Sequence, residues 1–255
     1  YQRHTCIRHW ATLNELVLND DKTEIIHFTS KFVPRSLQDV SISVGSTPIV
    51  PCKEARNLGA VFDEHLTMKS HVKKVCSSAM AALRQIGKIR SYLDETSTKR
   101  LIHSLVTSRL DSCNALLKEL PSSEIVKLQR IQNTAARMVE GSSYRSPIAP
   151  LLQKLHWLPI AKRIEFKIIV LTFKILTGNA PDYLTELIHL YTPSRSLRSQ
   201  NQNLLQVPRY TTNFYGKRSF SILAPILWNS LPLNIRSEPS ARHFTSLLKT
   251  LLFTK

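Results

Sequence analysis

The stretch SRLDSCNALLKEL (residues 108–120) places Arg109, Asp111, Cys113 and Asn114 within six positions, with His103 a short way upstream. Carboxylate, thiol and imidazole are the parts of a nucleophilic site, which needs the imidazole beside the sulfur and an orienting group behind it. Apolar residues at Leu101, Ile102, Leu105, Val106 and Leu110 predict a helix over residues 94–118. On that helix His103 and Cys113 would lie about 15 Å apart along the axis at 1.5 Å per residue. Arg109 and Asp111 would diverge around it, unlike i,i+4 partners. Cys113 reads as a small core hydrophobe. The stretch predicts structure rather than catalysis.

Other chemistries find no better footing. The nine His form no HxxxH, HxD or HExxH spacing, so no zincin or facial-triad site is expected and no metal ligand is assigned. The six Gly supply neither GxGxxG nor GxxxxGK[ST]. Neighbouring acids occur at Asp20-Asp21, Asp63-Glu64 and Asp94-Glu95. Each falls at a turn or helix start, where acids serve capping and the helix dipole more often than a Mg²⁺ pair. No catalytic residue is assigned, and no cofactor or small-molecule ligand is expected.

Charge is the strongest signal. The 255 residues carry 35 Lys and Arg against 18 Asp and Glu, a net charge of +17. Such a field favours polyanions, nucleic acid first and an acidic membrane surface second; the alternative is a basic surface with no partner. Residues 1–50 are balanced at five basic and five acidic, whereas 51–100 hold ten against five and 201–255 seven against one. Cys6, Cys52, Cys76 and Cys113 show no CxxC spacing, which points to a reduced intracellular setting, nuclear or cytoplasmic. No apolar run approaches the ~18 residues of a membrane span, so no membrane partner is expected. The opening YQRHTCIRHW has neither an initiating Met nor a signal-peptide pattern and reads as part of something longer.

The elements that would carry this charge follow from periodicity. Ile7, Trp10, Leu13 and Val17 predict an amphipathic helix over 6–18. TEIIHF and ARNLGAVFD read as strands, and Val40, Ile42 and Val44 as one arm of a hairpin around Gly-Ser-Thr. From residue 66 the pattern turns helical. Val72, Val75, Ala79, Leu83 and Ile86 form one face, and Lys69, Lys73, Arg84 and Lys88 cluster on another within about 100° of arc, either presenting charge outward or merely solvated. A third helix begins after Pro121 and ends at Gly141, with Lys127, Arg130 and Arg137 opposite its apolar side. Pro159 opens a long apolar helix closed by Gly178; APDYLTELIHLY, SFSILAPILWNSL and SARHFTSLLKTLLF are further helices. Between them, residues 192–218 interleave Arg195, Arg198, Arg209, Lys217 and Arg218 with Tyr210, Phe214 and Tyr215. Cations with aromatics suit backbone charge plus base stacking; the alternative is a basic surface loop with its aromatics packed inward. The expected fold is predominantly α-helical with a small N-terminal α+β portion, divided as 1–63, 64–140 and 141–255.

An ordered set of segments carries a family resemblance. Trp10, Asn14, Leu16, Leu18, Asn19, Lys22, Thr23 and Glu24 begin it. NLGAVFDEHLTMKSHV, LRQIGKIRSYL, SRLDSCNALL, KLQRIQNTAARMV, LHWLPIAKRIEFKI, APDYL, RSLRS, FSILAPILWNSLP and FTSLLKTLLF follow. In this order they resemble the C-terminal part of the reverse transcriptase of animal non-LTR (LINE-type) retrotransposons, over nearly the whole chain. Ser112 departs from the family, which often has an aromatic residue there. The resemblance implies a palm remnant at 1–63, a thumb-like helical segment at 64–140 that grips RNA or an RNA–DNA duplex, and a C-terminal helical region. The catalytic [FY]-x-D-D turn of that family, which binds Mg²⁺, has no match here. The resemblance therefore implies a chain that is no polymerase by itself, with a fingers–palm segment as a possible partner. A structural or protein-interaction remnant without nucleic-acid affinity is the alternative. The N.LVLN..KT region also resembles a small domain at the N-terminus of an AlkB-like tRNA-modifying protein, but the HxD…H ligands and a Gly-rich methyl-donor loop are absent from the sequence.

Overall fold

A Schellman turn, not the end of the apolar pattern, sets where the first helix stops. The computed structural model describes all residues except 1, 20–21, 31–41, 45–46, 194–201, 213–214 and 255. Helix α1 runs Gln2–Leu13. Beyond it Glu15 adopts φ 58°, and the Leu16 and Glu15 amides donate to the carbonyls of Ala11 (2.9 Å) and Thr12 (3.2 Å). Those are the two hydrogen bonds of the motif. The helix expected over 6–18 is therefore shorter at its C-terminal end. Its apolar stripe is not buried: Ile7, Trp10, Leu13 and Val17 are exposed.

The β-rich residues make hairpins. β1 (Ile42–Val44) pairs antiparallel with β2 (Thr47–Ile49), as expected, although Val40 lies outside the described residues. ARNLGAVFD is not one strand but two, β3 (Glu54–Asn57) and β4 (Ala60–Asp63), paired antiparallel. The reason is Leu58-Gly59, whose φ values of 46° and 91° are the two positive angles of a type I′ turn. TEIIHF contributes only a single bridge, Ile26 with Cys52, rather than a strand. After β4, Asp63 closes the turn into the next helix. Its carboxylate accepts from the amides of Met68 (2.7 Å), Thr67 (2.9 Å) and His65 (3.2 Å) and from the Thr67 hydroxyl (3.1 Å). Leu66 and Met68 are held at positive φ here, a strain that this network offsets.

Helices make up the remainder. α2 is Lys69–Ile89; α3 (Glu95–Ile102), a π turn (His103–Thr107) and α4 (Ser108–Asp111) follow. The helix expected through residue 118 thus ends at Asp111, because Ser112 is extended and Cys113 is left-handed at φ 54°; a 3₁₀ turn then covers Asn114–Leu117. Cys113 is half-buried rather than a core residue. α5 (Ser122–Glu140), α6 (Ile148–Lys154), α7 (Ile160–Leu176), α8 (Asp182–Thr185), α9 (Phe220–Asn229), α10 (Leu233–Arg236) and α11 (Ala241–Thr254) complete the chain. Gly141 and Gly178, at φ 63° and 70°, close α5 and α7 as the sequence predicts. The expected mostly helical fold with a small α+β portion is what the chain adopts.

Two compact units emerge, residues 1–71 and 72–255. In the second, α7 is the central helix, packed against α5, α9 and α11. Ile160, Ile164, Ile168, Ile169, Phe173 and Ile175 are buried along it. Phe173 stacks on Phe244 of α11 at 4.2 Å between centroids, and Trp228 of α9 lies 5.8 Å from Phe244. Such pairs add about 0.5–1.5 kcal/mol beyond their buried area. Between α2 and α3, Arg90 reaches across to the end of α5. Its guanidinium donates to the carbonyls of Met138 (2.8 Å), Val139 (3.1 Å) and Leu93 (2.8 Å).

Two substitutions test the first unit. Leu58 is 93% exposed, so Leu58→Asn should raise stability by about 0.5 kcal/mol by suiting the left-handed angle, read as a higher denaturation midpoint. Burial opposes ionisation of Asp63, but its hydrogen bonds outweigh that and hold its pKa below the ordinary 3.8. A depressed carboxylate stabilises the fold above its unfolded pKa and loses that contribution as pH falls through the folded one. Asp63→Asn should cost about 1–2 kcal/mol at pH 7, and the deficit should shrink as both proteins are titrated below pH 3.8.

Candidate nucleic-acid interface

Helix α2 has the chemistry of an anion-binding face. Val72, Ala79, Ala82, Leu83 and Ile86 are buried on one side, while Lys69, Lys73, Arg84 and Lys88 are exposed on the other. The expected separation of apolar and basic faces is realised. Lys74 is also exposed and extends the cationic side; its position about 40° further round the helix than Lys88 could have revealed it. The 21 residues of α2 include no Asp or Glu. Within the second unit Arg84–Lys88 is a like-charge i,i+4 pair, costing about 0.2–0.5 kcal/mol in an isolated helix. Lys69 belongs to the first unit and the others to the second. From Lys73 to Lys88 the charges span about 22 Å at 1.5 Å per residue.

Elsewhere the basic candidates divide. Arg130 on α5 is exposed. Lys127 is held at 2.8 Å by Glu124, which is 4% exposed, so its charge chiefly neutralises a buried carboxylate. Arg137 is half-buried; it donates to the Ser146 carbonyl at 3.1 Å and lies 5.3 Å from the Tyr144 ring, tying down the loop after α5. In the polar segment, Asn229 of α9 exchanges two 2.8 Å hydrogen bonds with the backbone of Leu205, and the Trp228 indole donates to Asn203. That anchoring precedes Arg209 and Tyr210, both exposed. Lys217 is paired with Glu119 at 2.8 Å, and hydrogen bonding to that carboxylate raises its pKa. Arg218 is half-buried, with its guanidinium 3.5 Å from the Leu116 carbonyl. Arg195 and Arg198, with Phe214, fall outside the described residues. Arg137 and Arg218 are thus largely engaged within the fold, and the charges of Lys127 and Lys217 are compensated.

The cluster around residue 111 is tied together by different partners from those its order suggests. Asp111 receives the guanidinium of Arg163 from α7 in a bidentate pair, with Nε at 2.8 Å from Oδ1, and the Asn114 amide at 3.4 Å. Arg109 instead donates to the Ser78 carbonyl of α2. His103 meets Trp157 edge-on at 5.3 Å. Burial lowers its pKa, with Lys99 and Arg163 acting in the same direction. None of these contacts joins the thiol to the imidazole. Of the paired acids, Asp94 caps α3 by accepting from Ser97 N at 2.9 Å, and Asp63 closes the entry to α2.

Compared with protein-family models, with curated proteins and with solved structures, the chain finds no match. Among the described residues no helix is long and apolar enough to cross a membrane.

The Asp111–Arg163 pair should be the strongest electrostatic tie between α4 and α7. Asp111→Ala leaves a guanidinium whose side chain is 18% exposed without its carboxylate, and should cost about 2 kcal/mol. Adding Arg163→Met should cost little more. A chemical-denaturation double-mutant cycle reads the coupling, and additive effects would show that the two side chains act independently.

Proposed function

We propose that the chain grips RNA or an RNA–DNA duplex through the cationic face of α2, as a part of a non-LTR reverse transcriptase that adds no nucleotides by itself. One observation carries the reading: the part of α2 in the second unit holds four exposed cations, Lys73, Lys74, Arg84 and Lys88, with no carboxylate and a self-repelling i,i+4 pair. A face stabilised only by water has no need of that arrangement, whereas a phosphate backbone relieves the repulsion. Lys73, Arg84 and Lys88 form the core of the proposed contact, with Lys74 beside them. Arg130, Arg209 and Tyr210 are exposed and available for further contacts. The ordered resemblance of the sequence to the region downstream of the polymerase active site supports the family assignment.

A protein-interaction role has one observation of its own, the exposed stripe Ile7, Trp10, Leu13 and Val17. It would suit docking on a fingers–palm segment. The two roles differ in their response to salt, since phosphate contacts release counterions and contacts of an apolar stripe do not.

Fluorescence anisotropy with a labelled RNA–DNA duplex separates them. Binding should weaken steeply between about 50 and 200 mM salt, with a log–log slope of roughly −0.9 per phosphate contact. Lys73→Glu with Arg84→Glu should reduce affinity at least about tenfold and flatten the slope by about 2. Absence of binding at low salt, or binding indifferent to both reversals, refutes the proposal.

A further inference from the structure

Cations interleaved with aromatics allow two arrangements, rings offered to the solvent or rings packed into the fold. In the second unit the rings keep accessible surface: Tyr210 is 40% and Tyr215 36% exposed, and Arg209 beside them is exposed as well. Burial of an aromatic ring is among the larger gains open to a side chain, and this pair forgoes much of it. Exposed rings among cations are what surfaces that stack bases present.

The two rings are rooted side by side. Gly216 packs so closely that a Cβ there would lie 3.2 Å from Tyr210 Cβ and 2.9 Å from the Thr212 carbonyl oxygen. Allowing one C–C bond of about 1.5 Å and one step of about 3.8 Å along the chain, Tyr210 Cβ lies within about 8.5 Å of the Tyr215 Cα. The Gly216 amide donates to the Thr212 hydroxyl at 2.8 Å and the Lys217 amide to the Thr212 carbonyl at 3.1 Å. Both bonds tie the residues after Tyr215 back towards Tyr210.

The support beneath the rings is fixed at both ends. Before them, Asn229 holds Leu205 and Trp228 holds Asn203. After them, Lys217 is paired with Glu119 at 2.8 Å, and the Arg218 guanidinium lies 3.5 Å from the Leu116 carbonyl. Rings on a fixed support lose less freedom on stacking than rings on a free loop. The carboxylate of Glu119 meets two ammonium groups, Lys217 and, at 3.8 Å, Lys118. With Arg209 and Arg218 added, the surroundings of the rings stay net positive.

We propose that Tyr210 and Tyr215 stack bases of an unpaired nucleic-acid strand, while the positive charge around them attracts its phosphates. A duplex keeps its bases stacked within itself and offers such rings no free face. This surface therefore takes single strand, and the α2 face takes duplex. Stacking also makes it tolerant of base sequence. The inference rests on reading the chain as a nucleic-acid binder and adds the strand form that this second surface selects.

Fluorescence anisotropy of the full chain tests it with three probes: a labelled thymidylate strand of about twelve residues, an abasic strand of the same length, and the RNA–DNA duplex. The thymidylate strand should bind at least about tenfold more tightly than the abasic one, which carries the same backbone charge. Tyr210→Ala with Tyr215→Ala should bring it down to the abasic level, whereas Tyr210→Phe with Tyr215→Phe should keep the affinity. Duplex affinity and its salt slope should not move in either pair. The thermal midpoint checks the fold of each variant, and the abasic comparison decides the matter alone if the alanine pair unfolds. Equal binding of the two strands, or thymidylate binding unchanged in a folded alanine pair, overturns the proposal. A chain that stacks the thymidylate strand but binds no duplex refutes the α2 reading and leaves this one standing; duplex binding without base-dependent strand binding does the reverse.

Discussion

Everything in the second unit answers to the burial of α7. A helix with Ile160, Ile164, Ile168, Ile169 and Phe173 all inside the protein must be covered on several sides, and α5, α9 and α11 do so. Lys167 and Lys174 stay exposed, and the less exposed polar residues of the helix meet partners. Thr172 returns its hydroxyl to the Ile168 carbonyl, Glu165 meets Lys118 and Lys162, and Arg163 meets Asp111. The aromatic stack of Phe173, Phe244 and Trp228 joins helices far apart in sequence at one point of that core.

The helices were legible because their signals are local. Apolar residues at 3.6 spacing, Pro159 ahead of α7, and glycine at the ends of α5 and α7 each act within a turn or two of chain. What could not be read was set by non-local or unusual backbone geometry. Leu58 accepts a left-handed angle that leucine seldom takes, so a strand became a hairpin. Cys113 does the same, and a helix stopped early. The exposed stripe on α1 was invisible for another reason: periodicity reports which residues share a face, not whether anything covers it.

Sites followed the same division. The exposed basic residues of α2, Lys74 apart, were legible because a single helix carries them and angles can be counted. The fates of Lys127, Arg137 and Lys217 were not, since Glu124 happens to be buried and Glu119 arrives from a turn about a hundred residues from Lys217. Asp111 was visible as part of a cluster, but its partner Arg163 lies 52 positions away. An open cavity of about 320 Å³ lined by Asn114, His156, Lys167 and Lys249 draws on four separate segments, and no spacing rule links them.

Arg90 gives the cationic helix a mechanical character. Placed directly after α2, it grips the last carbonyls of α5 through two of its nitrogens and the following turn through a third. A cation at that end of α5 also meets the negative pole of the helix. Load applied along the outer face of α2 therefore passes through a short, planar, multiply bonded joint into the helix that packs on α7. The C-terminal end of α2 is thus fixed to the end of α5, so a force on the outer face of α2 would be shared with the core of the unit and not borne by the helix alone.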